Sequence, residues 1–465
     1  MLKNDTAFIE ISKFYQGYSP LAFQNSLTSF GSAGNASVMV NADVINGEYL
    51  TQGSGLSNLT GTLNEAVQFI MDKAVATNVS YAIGTTSLFQ LSATAITNLH
   101  TISGCVEGES IQVLKGALYY FYNTASAGVI GTFDLSSTYN DTWATGLQLA
   151  PHPSDKKEDI MVFGNGRYVG VYLQGESSLT VDKLDFGNDM EVADVLYNAG
   201  LWYIAVNSNV SGANRTEGQI YLYDGAAIVN TLTDETGVGM QKIGFLYRIN
   251  GIVYVAYQDL SSGGFIIGYI NSKAISPLVR FTGTLPTFNK KTLYKNTILF
   301  LSDNLAYCAG AIVPQLPFSL SQIATAAYST ATAIACPFGT PLIASNNGAT
   351  YVISKFSGYT ITSSWKSIIF NLSKGRYKGY IDSIVVNTKT LETGASCSLT
   401  VEADDNTSTS SAQTIATVGK RRHVFTSLGL GSIENFRIVL DFAGGSAVKD
   451  CAIKDITINY HYLES

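Results

Sequence analysis

Between residues 80 and 355 the chain repeats one pattern: a short aromatic or aliphatic strand, a polar turn, then a second strand of the same kind. The copies read SYAIGTTSLFQLSA, ALYYFYNTASAGVIGTFDL, RYVGVYLQGESSLTVDKL, LWYIAVNSNVSGANRTEGQIYLYDG, IVYVAYQDLSSGGFIIGYI, TILFLSDNLAYCAGA and PLIASNNGATYVISKF. Their first strands centre on Tyr81, Tyr119, Tyr168, Trp202, Val253, Ile298 and Leu342, about 34–51 residues apart with a mean of about 43. That period belongs to β-propeller blades, at roughly 40–50 residues, and is too long for hairpins of a simple sandwich.

Most copies have a further strand ahead of the hairpin: ESIQVLKG, EDIMVFG, VADVLYNAG, QKIGFLYRING, KKTLYKN and TAIACPFGT. Most end in Gly or Asn, where a tight turn needs a residue that tolerates positive φ. A weaker outer strand follows in several copies, such as AAIVNTLTD after Tyr223. Four strands per unit make a blade. The inner runs are nearly all apolar, as in Tyr119-Tyr120-Phe121-Tyr122, which fits strands covered on both faces. The ring is expected to have seven blades, or six if residues 63–76 (LNEAVQFIMDKAVA) are a helix. Val67, Ile70 and Ala74 fall at helical spacing there, while the logic of the repeat asks for a strand.

The pattern places a propeller over 61–358. Residues 1–60 lack the repeat, are broken by GSAGNAS and GSGLSN, and read as an extended arm that closes the ring or reaches a neighbouring subunit. Beyond SKFSGYTITSS the pattern changes to strict alternation. Ile456, Ile458, Tyr460 and Tyr462 share one face, as do Phe436, Ile438, Leu440 and Phe442. With IDSIVVNTKTL and CSLTVEADDN, residues 359–465 read as an antiparallel, jelly-roll-like β-sandwich. The fold class is all-β.

Composition sharpens the picture. Charged residues are 14% of the 465, well below the roughly 25% of ordinary soluble proteins, while Tyr and Phe number 27 and 22. Sparse charge with many amphipathic aromatics fits a subunit covered by neighbours, or a β-rich surface that uses hydroxyls instead. The net charge of −7 argues against nucleic acid as a partner. The one basic run, Lys420-Arg421-Arg422-His423, reads as a strand start after a turn. No stretch approaches a membrane span and the first residues lack a secretory h-region, so synthesis without a signal peptide is expected. Cys105, Cys308, Cys336, Cys397 and Cys451 form no C-x-x-C pair and read as buried thiols, with a Cys397–Cys451 bridge as an alternative.

The inventory of catalytic groups is thin. His100, His152, His423 and His461 lie in different segments without metal-ligand spacing, so no metal site is expected. Phosphate-loop, dinucleotide and G-x-S-x-G motifs are absent, so no cofactor and no catalytic residue is assigned. SSTYNDTW (136–143) matches a sialidase-type box only at Ser136, Thr142 and Trp143, and only once. Asp182, Asp185, Asp189 and Glu191 read as one solvated loop, with a calcium loop as the lesser reading. Asp404-Asp405-Asn406 reads as a hairpin turn. Tyr139, Trp143, Tyr203 and Tyr257 are candidates for stacking on sugar rings, against the simpler reading of core or interface packing.

Three phrases carry a resemblance: FYQGYSPLAFQNSLTSFGSAGNASVMVNAD with GEYLTQGSGLSNLT, NVSYAIGTTSLFQLSATAITNLHTI, and SSWKSIIFNLSKGRYKGYIDSIVVNTKTLETGASCSLTVEADDN. In this order they resemble a family of tailed-bacteriophage virion proteins, in which an N-terminal arm leads into a β-propeller and a β-sandwich closes the chain. The resemblance spans nearly the whole chain but rests on phrases, and it carries over no catalytic residue. It implies a non-enzymatic structural protein of the tail, tail tip or an adaptor. Such a protein sits in the virion as a homo-oligomeric scaffold among other tail proteins. The alternatives are a module that binds a host receptor or surface glycan and, more remotely, a propeller glycoside hydrolase.

Overall fold

The computed structural model describes residues 6–12, 14, 24–25, 36–44, 49–173, 178–208, 217–234, 240–259, 263–271, 274–310, 318–360, 362–372, 377–442 and 449–464. The protein is all-β, with no α-helix among these residues. Among the described residues, seven groups of four antiparallel strands follow one another in the repeat region, the fourth and fifth joined edge to edge in one nine-stranded sheet by the parallel pair Ile228–Asp234 and Ala274–Phe281. The first comprises Val67–Ile70, Ser80–Gly84, Ser87–Leu91 and Ile96–Thr101. The strand expectation over 63–76 is therefore met by Val67–Ile70, which pairs with Ser80–Gly84. The second unit runs from Glu107–Leu114 through Ala117–Asn123 and Gly128–Phe133 to Tyr139–Leu147. The fourth, fifth and sixth open with Met190–Asn198, Ile243–Ile249 and Lys291–Tyr294.

The third unit differs from its sequence reading by one strand. Its leading strand is Ser154–Lys157, so EDIMVFG supplies the second strand and RYVGVYLQGESSLTVDKL the third and fourth. Ser-Asp-Lys-Lys carries no apolar signal, which is why the pattern skipped it. Asp182 and Asp185 consequently lie on the outer strand Ser178–Asp185 and Glu191 on the next leading strand, with only Asp189 in the turn between them. The single-loop reading of these acids is thus corrected. The basic run at 420–423 and the Asp404 turn lie where expected, at the start of Arg422–Phe425 and in left-handed turn geometry respectively.

The seventh unit has only three strands of its own region: Thr330–Ala335, Leu342–Asn346 and Tyr351–Tyr359. Its fourth is Ser54–Asn58, antiparallel to Tyr351–Tyr359. Other parts of residues 1–60 pair farther on. Thr6–Ile11 lies along Ile453–Glu464, and Ala36–Val40 along Ser364–Ser367. The described part of the expected arm is therefore not a free extension. It is woven into both regions because its alternating apolar residues, such as Ile9 and Ile11, have a core to enter.

Seven apolar clusters lie between successive units. Tyr120 and Tyr122 of the second unit meet Ile83 and Leu88 of the first. Phe121 meets Phe163 of the third with ring centroids 5.1 Å apart. The series ends where Ala333 and Leu342 of the seventh unit pack on Phe89 and Leu91 of the first. The units thus form a closed ring, each sheet covered on both faces.

Leading strands of adjacent units touch all round the inside of this ring. Polar side chains on and beside these strands bond across to other units. Gln112 donates to the Ser154 carbonyl at 2.8 Å. Asp155 accepts from the Tyr197 N–H at 2.8 Å and Asp194 from the Leu246 N–H at 2.6 Å. Lys291 reaches both Asp194 and the Leu246 carbonyl. Asp72 accepts from Thr292 and from the Cys336 N–H. Thr332 donates to the Val67 carbonyl at 2.5 Å, joining the last unit to the first. Desolvation pushes the Asp72 and Asp155 carboxyls above the usual range, with these N–H donors working against it.

The C-terminal region holds two sheets around one core. Thr6–Ile11, Ile453–Glu464, Tyr377–Thr388 and Arg422–Phe425 form one; the other centres on Asn435–Asp441, flanked by Cys397–Ala403, Ser364–Ser367 and Ile369–Asn371. Ile456, Ile458, Phe436, Ile438 and Leu440 fill the space with the fully buried Trp365. All five cysteines are free thiols, so the Cys397–Cys451 bridge is not formed, although the two are neighbours.

Between ring and C-terminal region sits Asn41, in left-handed geometry with φ 49°. Its Oδ1 accepts from Thr325 at 2.9 Å, and its carbonyl accepts from Gly53 N–H and Ser363 Oγ at 2.5 Å each. The two glycines of GSGLSN are required by close approach. A Cβ on Gly53 would lie 2.3 Å from the Asn41 carbonyl oxygen, and one on Gly55 2.6 Å from that of Ser357.

Three outcomes test this architecture. Tyr120 is fully buried, its ring lies against Gly131 and its hydroxyl donates to Asp141 at 2.6 Å. Tyr120→Ala should cost about 3–5 kcal/mol in denaturant unfolding, and the half-buried Tyr254→Ala clearly less. Asn41→Ala should cost about 2–3 kcal/mol by stranding Thr325 and straining the left-handed turn. Glu109 is pushed up from 4.5 to about 8, first by burial and then by the Glu107 carboxylate. Its folded value is raised, so the stability it lends is complete below about 4.5 and lost as pH rises through about 8. Glu109→Gln, which keeps an acceptor for Asn123, should therefore flatten the fall of melting temperature across that window. An unchanged slope would show that Glu109 does not titrate there.

Candidate binding cleft at the ring junction

The four aromatics singled out by sequence do not share a surface. Tyr139 and Trp143 lie on the outer strand of the second unit. Tyr139 is stacked between Phe133, 4.4 Å away and 3° from parallel, and His100, 4.2 Å away and 11° from parallel. Trp143 sets its ring edge-on against Tyr119 and Tyr172. Tyr203 and Tyr257 belong to the fourth and fifth units and to the cluster between them, with Tyr257 buried.

Beside Tyr139, Asp141 ties the first unit to the second. Its carboxylate accepts from His100 Nε2 at 2.8 Å, Tyr120 at 2.6 Å and the Ser103 N–H at 3.0 Å. Burial alone would raise this carboxyl, but the three donors together hold it below its usual range. The group therefore reads as an ionised structural acceptor. The other histidines stand apart. His152 is fully buried, driven down to about 4 by desolvation, and donates from Nδ1 to the Gly164 carbonyl at 2.9 Å. His423 is buried in the C-terminal region, and His461 pairs with Asp382 at 2.8 Å. No group of three or more His, Cys, Asp or Glu is placed to hold a metal ion among the described residues.

A cleft of about 360 Å³ opens where the sixth and seventh units meet the N-terminal segment. Its walls come from four separated stretches. Asp43, Thr51, Gln52 and Ser54 come from the N-terminal segment, Tyr294 and Lys295 from the sixth unit, and Gly339–Pro341 and Phe356–Tyr359 from the seventh. Asp43 and Thr51 face each other across the short antiparallel pair Ala42–Asp43 and Thr51–Gln52, where Thr51 Oγ1 donates to the Asp43 carbonyl at 3.1 Å. Gln52 is 2% exposed. Its Nε2 donates to the Thr360 carbonyl at 2.9 Å, which fixes the amide, while its Oε1 is buried without a hydrogen-bond partner. Lys295 reaches over the Tyr294 ring at 5.0 Å and feels the Asp43 carboxylate. Asp450, behind the cleft, is pushed up to about 6 by burial against the Gln52 N–H and Lys389.

Sequence reading missed this site. No local signal marks it, because Asp43, Gln52, Lys295 and Tyr359 are brought together only by closure of the ring. The GSGLSN phrase signals a break in regular structure but not what it lines.

No family model and no curated protein matches the chain. Among solved structures it is similar to the extracellular domain described for a hybrid two-component system of B. thetaiotaomicron, at 11% identity and a TM-score of 0.51, over 87% of this chain and 59% of that one. The extracellular domain described for a one-component system of B. thetaiotaomicron aligns at 11% identity and a TM-score of 0.47, over 73% and 44% of the two chains. The chain thus spans about half the length of these neighbours. At such identity the likeness concerns fold alone, and it agrees with the ring of sheets: the chain has an all-β, β-propeller-like fold.

Proposed function

We propose that the protein is a structural subunit of a tailed-bacteriophage virion, a seven-bladed β-propeller joined to an antiparallel β-sandwich and used in several copies as a rigid scaffold. The observation that carries this reading is the path of the N-terminal segment. Its strands pair with Ile453–Glu464, Ser364–Ser367 and Tyr351–Tyr359, so one stretch of chain is hydrogen-bonded into the ring and into both C-terminal sheets. The Asn41 contacts close the remaining gap. Two bodies fastened in this way hold one orientation, which suits a part that transmits position between partners rather than one that closes on a substrate.

The resemblance of the three sequence phrases supplies the virion setting. Sparse charge agrees with it. So do Phe8, Tyr380 and Val424, exposed on the sheet that contains Thr6–Ile11, a face suited to packing against other copies or other tail proteins. The fully engaged carboxylates of the half-buried Asp141 and the buried Asp194 favour a structural over a hydrolytic use.

Mass spectrometry and cryo-electron microscopy of particles from a lysate of the encoding phage test the reading. The chain should co-purify with tail proteins at fixed stoichiometry, and the map should show a seven-fold disc with the sandwich in one orientation in every symmetry-related copy. Absence from purified particles, with the recombinant chain monomeric beside tail proteins, would overturn it.

A further inference from the structure

We propose that the C-terminal sandwich joins copies of this chain head to tail, the edge strand Thr6–Ile11 of one copy pairing with the edge strand Arg422–Phe425 of the next. These strands are the two ends of one four-stranded sheet, and among the described residues each has a strand neighbour on one side only. An open edge with an unbroken ladder is a template for another chain, and a bulge is one device that spoils it. Among the described residues, each of the seven outer strands of the ring meets its own sheet across a register shift. Thr6–Ile11 and Arg422–Phe425 pair with Ile453–Glu464 and Tyr377–Thr388 without one. The edges of the ring are blunted, and those of this sheet are not.

Direction and face both agree with such a contact. Each strand of the sheet is antiparallel to its neighbour, so Thr6–Ile11 and Arg422–Phe425 run in opposite directions. A second copy set beside the first, same side up, therefore brings them together as an antiparallel pair. With Phe8 opposite Val424, Glu10 falls opposite Arg422, because antiparallel partners advance in opposite senses. All four residues are exposed, Phe8 at 61% and Val424 at 46%. The same register sets buried Ile9 opposite buried His423. It also sets Ala7 opposite Phe425, both of which pack against the sandwich core. A slip of one residue would set outer positions against inner ones.

Charge chooses the partner. Aromatic with β-branched and acid with base are favourable cross-strand pairs, and like charges directly opposite are unfavourable. The exposed run Lys420-Arg421-Arg422 leads into one edge, and the exposed Glu10 stands on the other. Pairing the basic edge with itself across a two-fold axis would bring two such runs together. Pairing Thr6–Ile11 with itself about Phe8 would leave Glu10 without a cation. The head-to-tail contact satisfies both edges, and repeated it builds a ring or a filament instead of a two-fold dimer.

The inference rests on the several-copy part of the proposed scaffold and not on its virion setting. Sedimentation velocity and light scattering of the purified full chain read it. The wild type should form assemblies larger than a dimer at about 100 μM or below. Glu10→Arg and Arg422→Glu should each weaken association by about tenfold or more, with the melting temperature retained. Mixing these two variants should restore it, since every junction of an alternating assembly then joins opposite charges. Phe8→Lys should abolish association by placing an ammonium on the edge. A wild-type monomer across that range would overturn the proposal, whether the edge is then taken by a different tail protein or by none. So would a two-fold dimer as the end product, wild-type association by either charge variant alone, or a mixture that stays monomeric. A monomer present in particles at fixed stoichiometry would overturn this contact and leave the virion reading standing.

Discussion

Every sheet of the ring has apolar side chains on both faces, and that requirement shapes the rest of the molecule. A strand such as Ala117–Asn123, nearly all buried, is stable only with a neighbour on each side. A row of such sheets leaves two bare faces at its ends. Bending the row until the seventh unit meets the first removes both, and the cluster of Ala333, Leu342, Phe89 and Leu91 is the seam where this happens. Apolar burial at about 25 cal/mol per Å² drives the closure without specifying register. Register comes from the inner polar contacts, because Asp155 or Asp194 meets its backbone N–H only when adjacent units are correctly aligned.

The ring was legible in the chain wherever burial wrote a repeated apolar phrase. Second and third strands were found in six of the seven units for that reason. The third unit was read one strand late because Ser154–Lys157 faces the polar inner ring, where Asp155 and Lys156 bond to neighbouring backbones and no apolar residue is needed. Re-centring that copy on Val162 puts it about 43 residues after Tyr119 and 40 before Trp202, within the blade period. The long and short gaps on either side of that copy were thus the trace of a misplaced strand.

The N-terminal segment was least legible, since its partners lie hundreds of residues away. Ser54–Asn58 has the polarity of an outer strand, which resembles a loop when read alone. The cleft inherits the same difficulty. Gln52 acquires its meaning from Thr360, and Asp43 from Lys295, and neither pairing has any imprint in local composition. The four aromatics chosen by sequence fell elsewhere because an aromatic at a strand position is first of all a packing residue, as the stack of Phe133, Tyr139 and His100 illustrates.

The loan of Ser54–Asn58 to the seventh sheet also sets an order of events during synthesis. A ribosome makes this strand early, yet its partner Tyr351–Tyr359 follows roughly 300 residues later. Six sheets can zip up from local hairpins while the early strand waits, its edge unpaired. The final pairing then closes a very large loop in one step, and such non-local contacts are slow to form. Once made, the pairing also opposes opening at the seam, because the seventh sheet cannot come away without releasing a strand from the start of the chain.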